Sequence, residues 1–271
     1  LGYSDPNDNE IHFEQIKNNI NKYIDEKQFI KSNWFSTKDL EIFNNKIYVS
    51  YTNEIKEDCW NTSIIVADLN FKELIFKKLF QPTQCVDSIS NEDKEFNAHQ
   101  SGGRISKLDD ESIIFSTGDF RSRKWAQDKN SVLGKILKIN INNGNYDFIS
   151  MGHRNPQGLS YDKENNYIIA TEHGPKGGDE INLIDLNNLK NYGWPIASYG
   201  THYDGGYREE APLHKSHKDK GFEEPIWYFD YEQSNLHGIS DVANNFFFEG
   251  DNFFVATLKG NSVYQVNVDV N

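Results

Sequence analysis

Three stretches of the chain set acid–base and anion-binding residue types beside glycine or proline. They are NAHQSGGRI (97–105), GHRNPQGLSYD (152–162), and TEHGPKGGDEINLI with KNYGWPIASYG following it (171–200). An imidazole such as that of His99 changes charge near neutral pH and accepts a proton from a hydroxyl. Glycine lets backbone approach a ligand closely, and loops at sheet ends are where sites concentrate. Arginine is scarce: only Arg104, Arg121, Arg123, Arg154 and Arg208 occur, among 28 Lys and Arg in all. A chain that uses lysine for ordinary charge keeps arginine for the rigid fork that grips a carboxylate or a planar conjugated anion. Four of the five lie between 104 and 154, in or beside the glycine-rich stretches.

Each signal has a plainer reading when taken singly. His99 also fits a strand-end histidine, Asp179 with Glu180 a solvated turn, and NYGWP a packed aromatic corner. His153 and His173 read as loop-packing groups. His202, His214, His217 and His237 are scattered, and no tight His/Cys spacing supports zinc.

The elements that must hold these stretches are strands. Runs such as Ile47–Tyr51, Ile64–Val66, Ile113–Phe115, Ile136–Ile139, Ile168–Ala170, Phe253–Val255 and Val263–Val266 alternate with Asn/Asp/Gly turns. A weak repeat recurs at 44–52, 110–118, 165–174 and 250–260: a polar turn, three or four β-formers, then Ser, Ala or Thr. Its members are 66, 55 and 85 residues apart, counted from Ile47 through Ile113 and Ile168 to Phe253. Uneven spacing of this kind suits propeller blades with inserted loops; a β-sandwich is the alternative. Ile11, Phe13, Ile16, Ile20, Tyr23 and Ile24 follow helical spacing, which predicts a helix over 11–26. Residues 201–225 read as a long surface loop.

Composition excludes other classes. With 28 basic against 41 acidic residues the net charge is −13, the wrong sign for a nucleic-acid partner. No run approaches the roughly 18 apolar residues of a membrane span. Cys59 and Cys85 can pair, which would contribute roughly 3 kcal/mol, or remain buried thiols.

The order HQSGGRI, GKILKI, GHRNPQGL, TEHGPKGGDEIN, NYGWP resembles the glucose/sorbosone dehydrogenase family, the soluble aldose sugar dehydrogenases that use pyrroloquinoline quinone (PQQ) and calcium. The resemblance runs from about Leu40 to Val268. It implies an all-β fold, a six-bladed β-propeller in the family, complete or incomplete here. Residues 1–35, where the spacing predicts the short N-terminal helix, have no clear counterpart in the family and read as a helical or irregular segment; 36–271 are then a partial propeller. It also implies an enzyme that oxidises an aldose at C1 to the lactone by hydride transfer to the quinone. His99 matches the general base. Arg154 matches a catalytic and cofactor-binding residue. Gln100, Asn155 and Lys259 go with the cofactor contacts. Gly174 and Pro175 match the carbonyls that hold the catalytic calcium. Glu180 and Tyr192 match a second, structural calcium, through a carboxylate and a backbone carbonyl. Asp119 and Asp128 fall near the same pocket. The resemblance further implies an aldose substrate, a separate electron acceptor, and a periplasmic or secreted location.

Family members carry earlier propeller strands and, after the strand matching Phe253–Val268, an arginine-bearing segment and a final blade. The expectation is therefore a piece of a longer enzyme. A shortened, non-catalytic propeller that binds a carbohydrate or protein is the alternative. A calcium-dependent lactonase- or esterase-like propeller is a third reading, since propellers host many chemistries.

Overall fold

A computed structural model describes residues 1–5, 7, 12–31, 35–229, 242–243, 248–249, 252–257 and 261–268. Four antiparallel sheets follow one another along the chain. Sheet I runs Thr37–Phe43, Lys46–Lys56, Cys59–Asp68, Lys77–Phe80, with Val86–Asp87 added against Cys59 and Trp60. Sheet II runs Gly102–Lys107, Ser112–Thr117, Lys135–Asn140, Tyr146–Met151, and Lys190–Asn191 joins its edge in parallel. Sheet III runs Pro156–Asp162, Tyr167–Glu172, Asp179–Asp185, Trp227–Phe229. In sheet IV, Val242–Ala243 and Phe248–Glu249 both pair with Asn252–Thr257, which pairs on with Val263–Asn267. These are blades of a β-propeller. The four copies of the sequence repeat form Lys46–Lys56, Ser112–Thr117, Tyr167–Glu172 and Asn252–Thr257, one strand in each sheet. The uneven spacing comes from insertions, the longest being 186–226 between the last two strands of sheet III.

Alternation gives each sheet two apolar faces, and neighbouring sheets bury them against each other. Tyr48, Ile64 and Val66 of sheet I pack with Ile113, Phe115 and Leu137 of sheet II. Ile114 and Ile136 from the opposite face of sheet II pack with Leu159, Ile168 and Ile184 of sheet III. Tyr167, Ile169 and Ile181 then meet Phe253 and Val255 of sheet IV. The first strands of sheets I, II and III lie side by side. Arg104 ties all three together. Its Nη1 lies 2.9 Å from Asp39 Oδ1, and its Nε donates to Gln157 O at 2.7 Å. This arginine therefore belongs to the frame.

The N-terminal segment departs from the expected helix over 11–26. Glu14–Gln15 pairs with Gly2–Tyr3, Lys17–Asn18 pairs in parallel with Glu73–Leu74, and a 3₁₀ turn covers Ile20–Lys22. The helix forms later and is short, Glu26–Lys31. Asparagine explains the difference. The Asn19 side chain donates to Phe76 O and accepts from Phe76 N at 3.1 and 2.7 Å, so it competes with helical backbone bonds. The apolar spacing is still used, because Ile16 and Ile24 are buried against Val49, Ile65 and Leu74. Cys59 and Cys85 form a disulfide, with Cα atoms 5.4 Å apart.

Candidate active site

The three glycine-rich stretches meet at one edge of sheets II and III. His99 and Gln100 precede Gly102–Lys107, Asp119 follows Ser112–Thr117, and Arg154 and Asn155 precede Pro156–Asp162. Glu172 ends Tyr167–Glu172, and His173 to Pro175 follow it. In antiparallel neighbours the start of one strand and the end of the next share an edge, so the topology collects all of them.

Arg154 is the centre of the site and is 5% exposed. Its Nη1 donates to His173 O at 2.9 Å and its Nη2 to Gln100 Oε1 at 3.1 Å. The guanidinium carbon lies 5.3 Å from the ring centroid of Trp194. Its Nε is buried with no hydrogen-bond partner. Gln100 Oε1 also accepts from Arg121 Nε at 2.5 Å, and Gln100 Nε2 donates to Asp119 Oδ1 at 3.2 Å. Asp119 accepts from Trp194 Nε1 at 2.7 Å and from the Arg121 amide at 2.8 Å. Burial raises its carboxyl above the usual range, against the pull of Arg154 and these donors.

A buried chain of bonds holds Arg154 from behind. Ser150 Oγ bonds His153 Nε2 at 2.7 Å, and His153 Nδ1 bonds Glu172 Oε1 at 2.8 Å. Glu172 Oε2 accepts the Arg154 amide at 2.7 Å. The order Ser–His–Glu mimics a hydrolytic triad. However, Ser150 and His153 are fully buried, so no substrate reaches the hydroxyl and the lactonase- or esterase-like reading gains nothing from it. Burial pushes Glu172 up, but His153 and the Arg154 amide outweigh it and hold its pKa low.

These groups border a cavity of about 150 Å³, whose lining includes Gln100, Arg121, Arg154, Pro175 and Trp194. Loop residues His202, Tyr203 and Arg208 close one side. A larger groove of about 500 Å³ lies between sheets III and IV, but Ile181, Trp227, Phe229 and Val266 line it and, among the described residues, no charged group does.

His99 is exposed next to Gln100, and its carbonyl accepts from Gln157 Nε2 at 3.1 Å. Partial burial, then the nearby Lys38, lower its pKa. Asn155 is largely committed to the frame: its Oδ1 accepts the Gly102 amide at 3.0 Å and ties sheet III to sheet II. Asp128 serves a turn, accepting the Asn130 amide at 2.8 Å. Lys259 lies outside the described residues.

Gly174 and Pro175 are buried, and among the described residues neither carbonyl accepts a hydrogen bond. The Gly174 amide is held by Asp179 Oδ1 at 2.7 Å. A Cβ on Gly174 would meet the Gly177 and Gly178 carbonyl oxygens at 2.3 Å, which explains the glycine. Two unengaged carbonyls suit a hard cation, although neutral donors need an anionic ligand to complete the charge. Glu180 and Tyr192 are close together. His217, 1% exposed, bonds Tyr192 O through Nδ1 at 2.9 Å and has Nε2 3.3 Å from Glu180 Oε1. The carbonyl can only accept, so Nδ1 carries hydrogen, while Nε2 is buried and makes no hydrogen bond among the described residues. The imidazole thus stands between the Glu180 carboxylate and the Tyr192 carbonyl. Sequence reasoning gave His217 and the loop residue Tyr203 no part in the site; it marked Trp194 only as part of NYGWP and Arg208 only as one of five arginines.

Residues 41–271 match the family model for glucose / sorbosone dehydrogenase. The aldose sugar dehydrogenase YliI of Escherichia coli is 31% identical over 189 residues, covering 62% of this chain and 47% of that protein. The quinoprotein glucose dehydrogenase B of Acinetobacter calcoaceticus is 33% identical over 155 residues, 45% of this chain and 31% of that one. This chain thus spans half or less of the length of these relatives. The PQQ-bound aldose sugar dehydrogenase of Streptomyces coelicolor shares the fold at a TM-score of 0.60, with 21% identity, over 84% of this chain and 60% of that one. A family match over most of the chain, with a shared fold, leads to one conclusion: the chain belongs to the glucose/sorbosone dehydrogenase family.

Proposed function

We propose that the protein oxidises an aldose at C1 to the lactone, using PQQ and calcium, and passes the electrons to a separate acceptor. The observation that carries this reading is Arg154, whose guanidinium bonds a neutral amide oxygen and a backbone carbonyl and keeps a buried, unpartnered Nε beside the cavity. A buried cation with no carboxylate at ion-pair distance is costly, so the arrangement calls for an anionic ligand, and PQQ is a planar polyanion.

Arg154 would orient the quinone and stabilise charge on its oxygens. Gln100 holds the Arg154 guanidinium, and Asn155 fixes the strand from which Arg154 departs. Lys259 is a further cofactor contact in this proposal. The Gly174 and Pro175 carbonyls would hold calcium. When bound, PQQ with calcium supplies a polarised hydride acceptor. His99 takes the proton of the C1 hydroxyl on an imidazole nitrogen as C1 gives up its hydride. Its lowered pKa keeps it unprotonated at neutral pH, as a base requires. Glu180, with the Tyr192 carbonyl, would hold a second, structural calcium in this reading, beside the unpartnered Nε2 of His217. Export to the periplasm or outside the cell is part of the proposal and agrees with the Cys59–Cys85 bridge.

The test is reconstitution with PQQ and calcium, followed by dye reduction with a panel of aldoses. His99→Ala is expected to bind PQQ as before and to lose turnover by at least ~10²-fold, as for loss of a general base. Unchanged turnover removes His99 from the mechanism. Absence of PQQ binding in the unaltered protein would favour the carbohydrate- or protein-binding alternative.

A further inference from the structure

Four guanidiniums and the carboxylates of Glu95 and Asp204 border the cavity, and two of the guanidiniums are neutralised. Arg123 pairs with Asp93 and Glu95, and Arg208 with Glu95 and Asp204. Arg121 and Arg154 differ. Among the described residues no carboxylate lies within 4.0 Å of either, and both share Gln100 Oε1. Two like charges on one neutral acceptor repel each other, and burial together with Arg154 lowers the Arg121 pKa.

The two sit at different depths. Arg154 is buried and stacked over Trp194. Arg121 is half-buried, with its guanidinium carbon 5.4 Å from the ring centroid of Tyr203, which is 61% exposed. The backbone is strained at this point. Phe120 and Arg121 have φ of 52° and 61°, two consecutive left-handed residues that are not glycine. Two anchors hold the strain in place. Phe120 is fully buried among Phe35, Trp60 and Leu133, and the Arg121 amide bonds Asp119. The fold thus holds the Arg121 guanidinium between buried Gln100 and the exposed ring of Tyr203. A buried arginine suits a resident group. A half-exposed one beside an open aromatic face suits a ligand that enters and leaves, since the ring offers an apolar face to a sugar and the fork a bidentate grip on a carboxylate.

We infer that Arg121 and Tyr203 form a subsite for a carboxylate on the sugar, so that the site favours an acidic aldose of the uronic-acid type over a neutral one. This rests on the sugar-site reading above, but its test needs no turnover. The source of the carboxylate is the point to decide, because PQQ also carries carboxylates.

The test is calorimetric titration of the protein with D-glucuronate, D-glucose and PQQ in parallel, for the unaltered chain, Arg121→Gln and Arg121→Lys. Glucuronate is expected to bind about 10- to 100-fold more tightly than glucose, the range of one charge-assisted contact. Arg121→Gln should abolish that difference and leave glucose and PQQ affinities within about twofold, while Arg121→Lys keeps part of it. Equal binding of the two sugars by the unaltered chain overturns the inference. So does a loss of PQQ affinity in Arg121→Gln, which would assign the arginine to the cofactor. A protein that prefers glucuronate through Arg121 yet binds no PQQ would keep this inference and sink the redox reading.

Discussion

His99 and Lys38 set the pH behaviour of the site at the scale of single residues. Lys38 is half-buried, donates to Ala98 O at 3.2 Å, and is pushed down to about 8 by burial. It is therefore still largely charged at pH 7 and disfavours a second positive charge on His99. Desolvation of His99 acts in the same direction. Both effects lower the imidazole pKa, so the basic form persists below the ordinary histidine range. The acid limb of kcat/KM should accordingly fall below the histidine value of about 6.5. Lys38→Met should move that limb upward, because one of the two lowering effects is gone. A limb that stays in place would show that burial alone sets it. Arg104 teaches the opposite lesson at this scale. It has the same chemistry as Arg121, but Asp39 and the Gln157 carbonyl take its donors and leave it a cross-link.

At the scale of elements, the site depends on the strand end that presents Glu172. One carboxylate there collects His153 Nδ1, the Arg154 amide and Asn182 Nδ2 at 2.8, 2.7 and 2.9 Å. It locks the start of one strand of sheet III to the end of the next. Glu172 has a depressed folded pKa, so its contribution to stability is present above the ordinary carboxylate value. That contribution is lost as pH falls through the lower folded value. Glu172→Gln should cost about 1–3 kcal/mol in denaturant unfolding near neutral pH, by leaving buried donors poorly matched. It should also flatten the acid side of the stability profile and weaken PQQ binding. Ser150→Ala, one bond further back, should lower stability without moving PQQ affinity. If Glu172→Gln loses stability while its PQQ affinity is unchanged, the carboxylate serves the fold only.

The whole molecule carries −13 charges, yet four of its five arginines border one cavity of about 150 Å³. Glu95 and Asp204 line the same cavity and offset Arg123 and Arg208, so the excess positive charge there rests on Arg121 and Arg154 and draws an anion to them. A ligand that binds only the folded chain stabilises it by mass action, by about 2.7 kcal/mol at a hundred times its dissociation constant. PQQ with calcium should therefore raise the unfolding temperature by several degrees. His99→Ala should keep that rise and Arg154→Met should lose it. A rise of equal size in Arg154→Met would place the cofactor elsewhere on the propeller.

Much of this was legible along the chain, because the signals are local. Period-two alternation follows from strand geometry, and each copy of the repeat became one strand of one sheet. The arginine scarcity pointed to the cavity before any geometry was known. The failures share a cause. The spacing from Ile16 to Ile24 obeys helical periodicity, but Asn19 found a better partner in Phe76, 57 residues away. Arg208 joins the cavity through Glu95, 113 residues earlier. Composition and pattern decide which residues can be buried, paired or strained. Only chain closure in three dimensions decides which partner each one meets, because a hydrogen bond or ion pair depends on distance and not on separation in sequence.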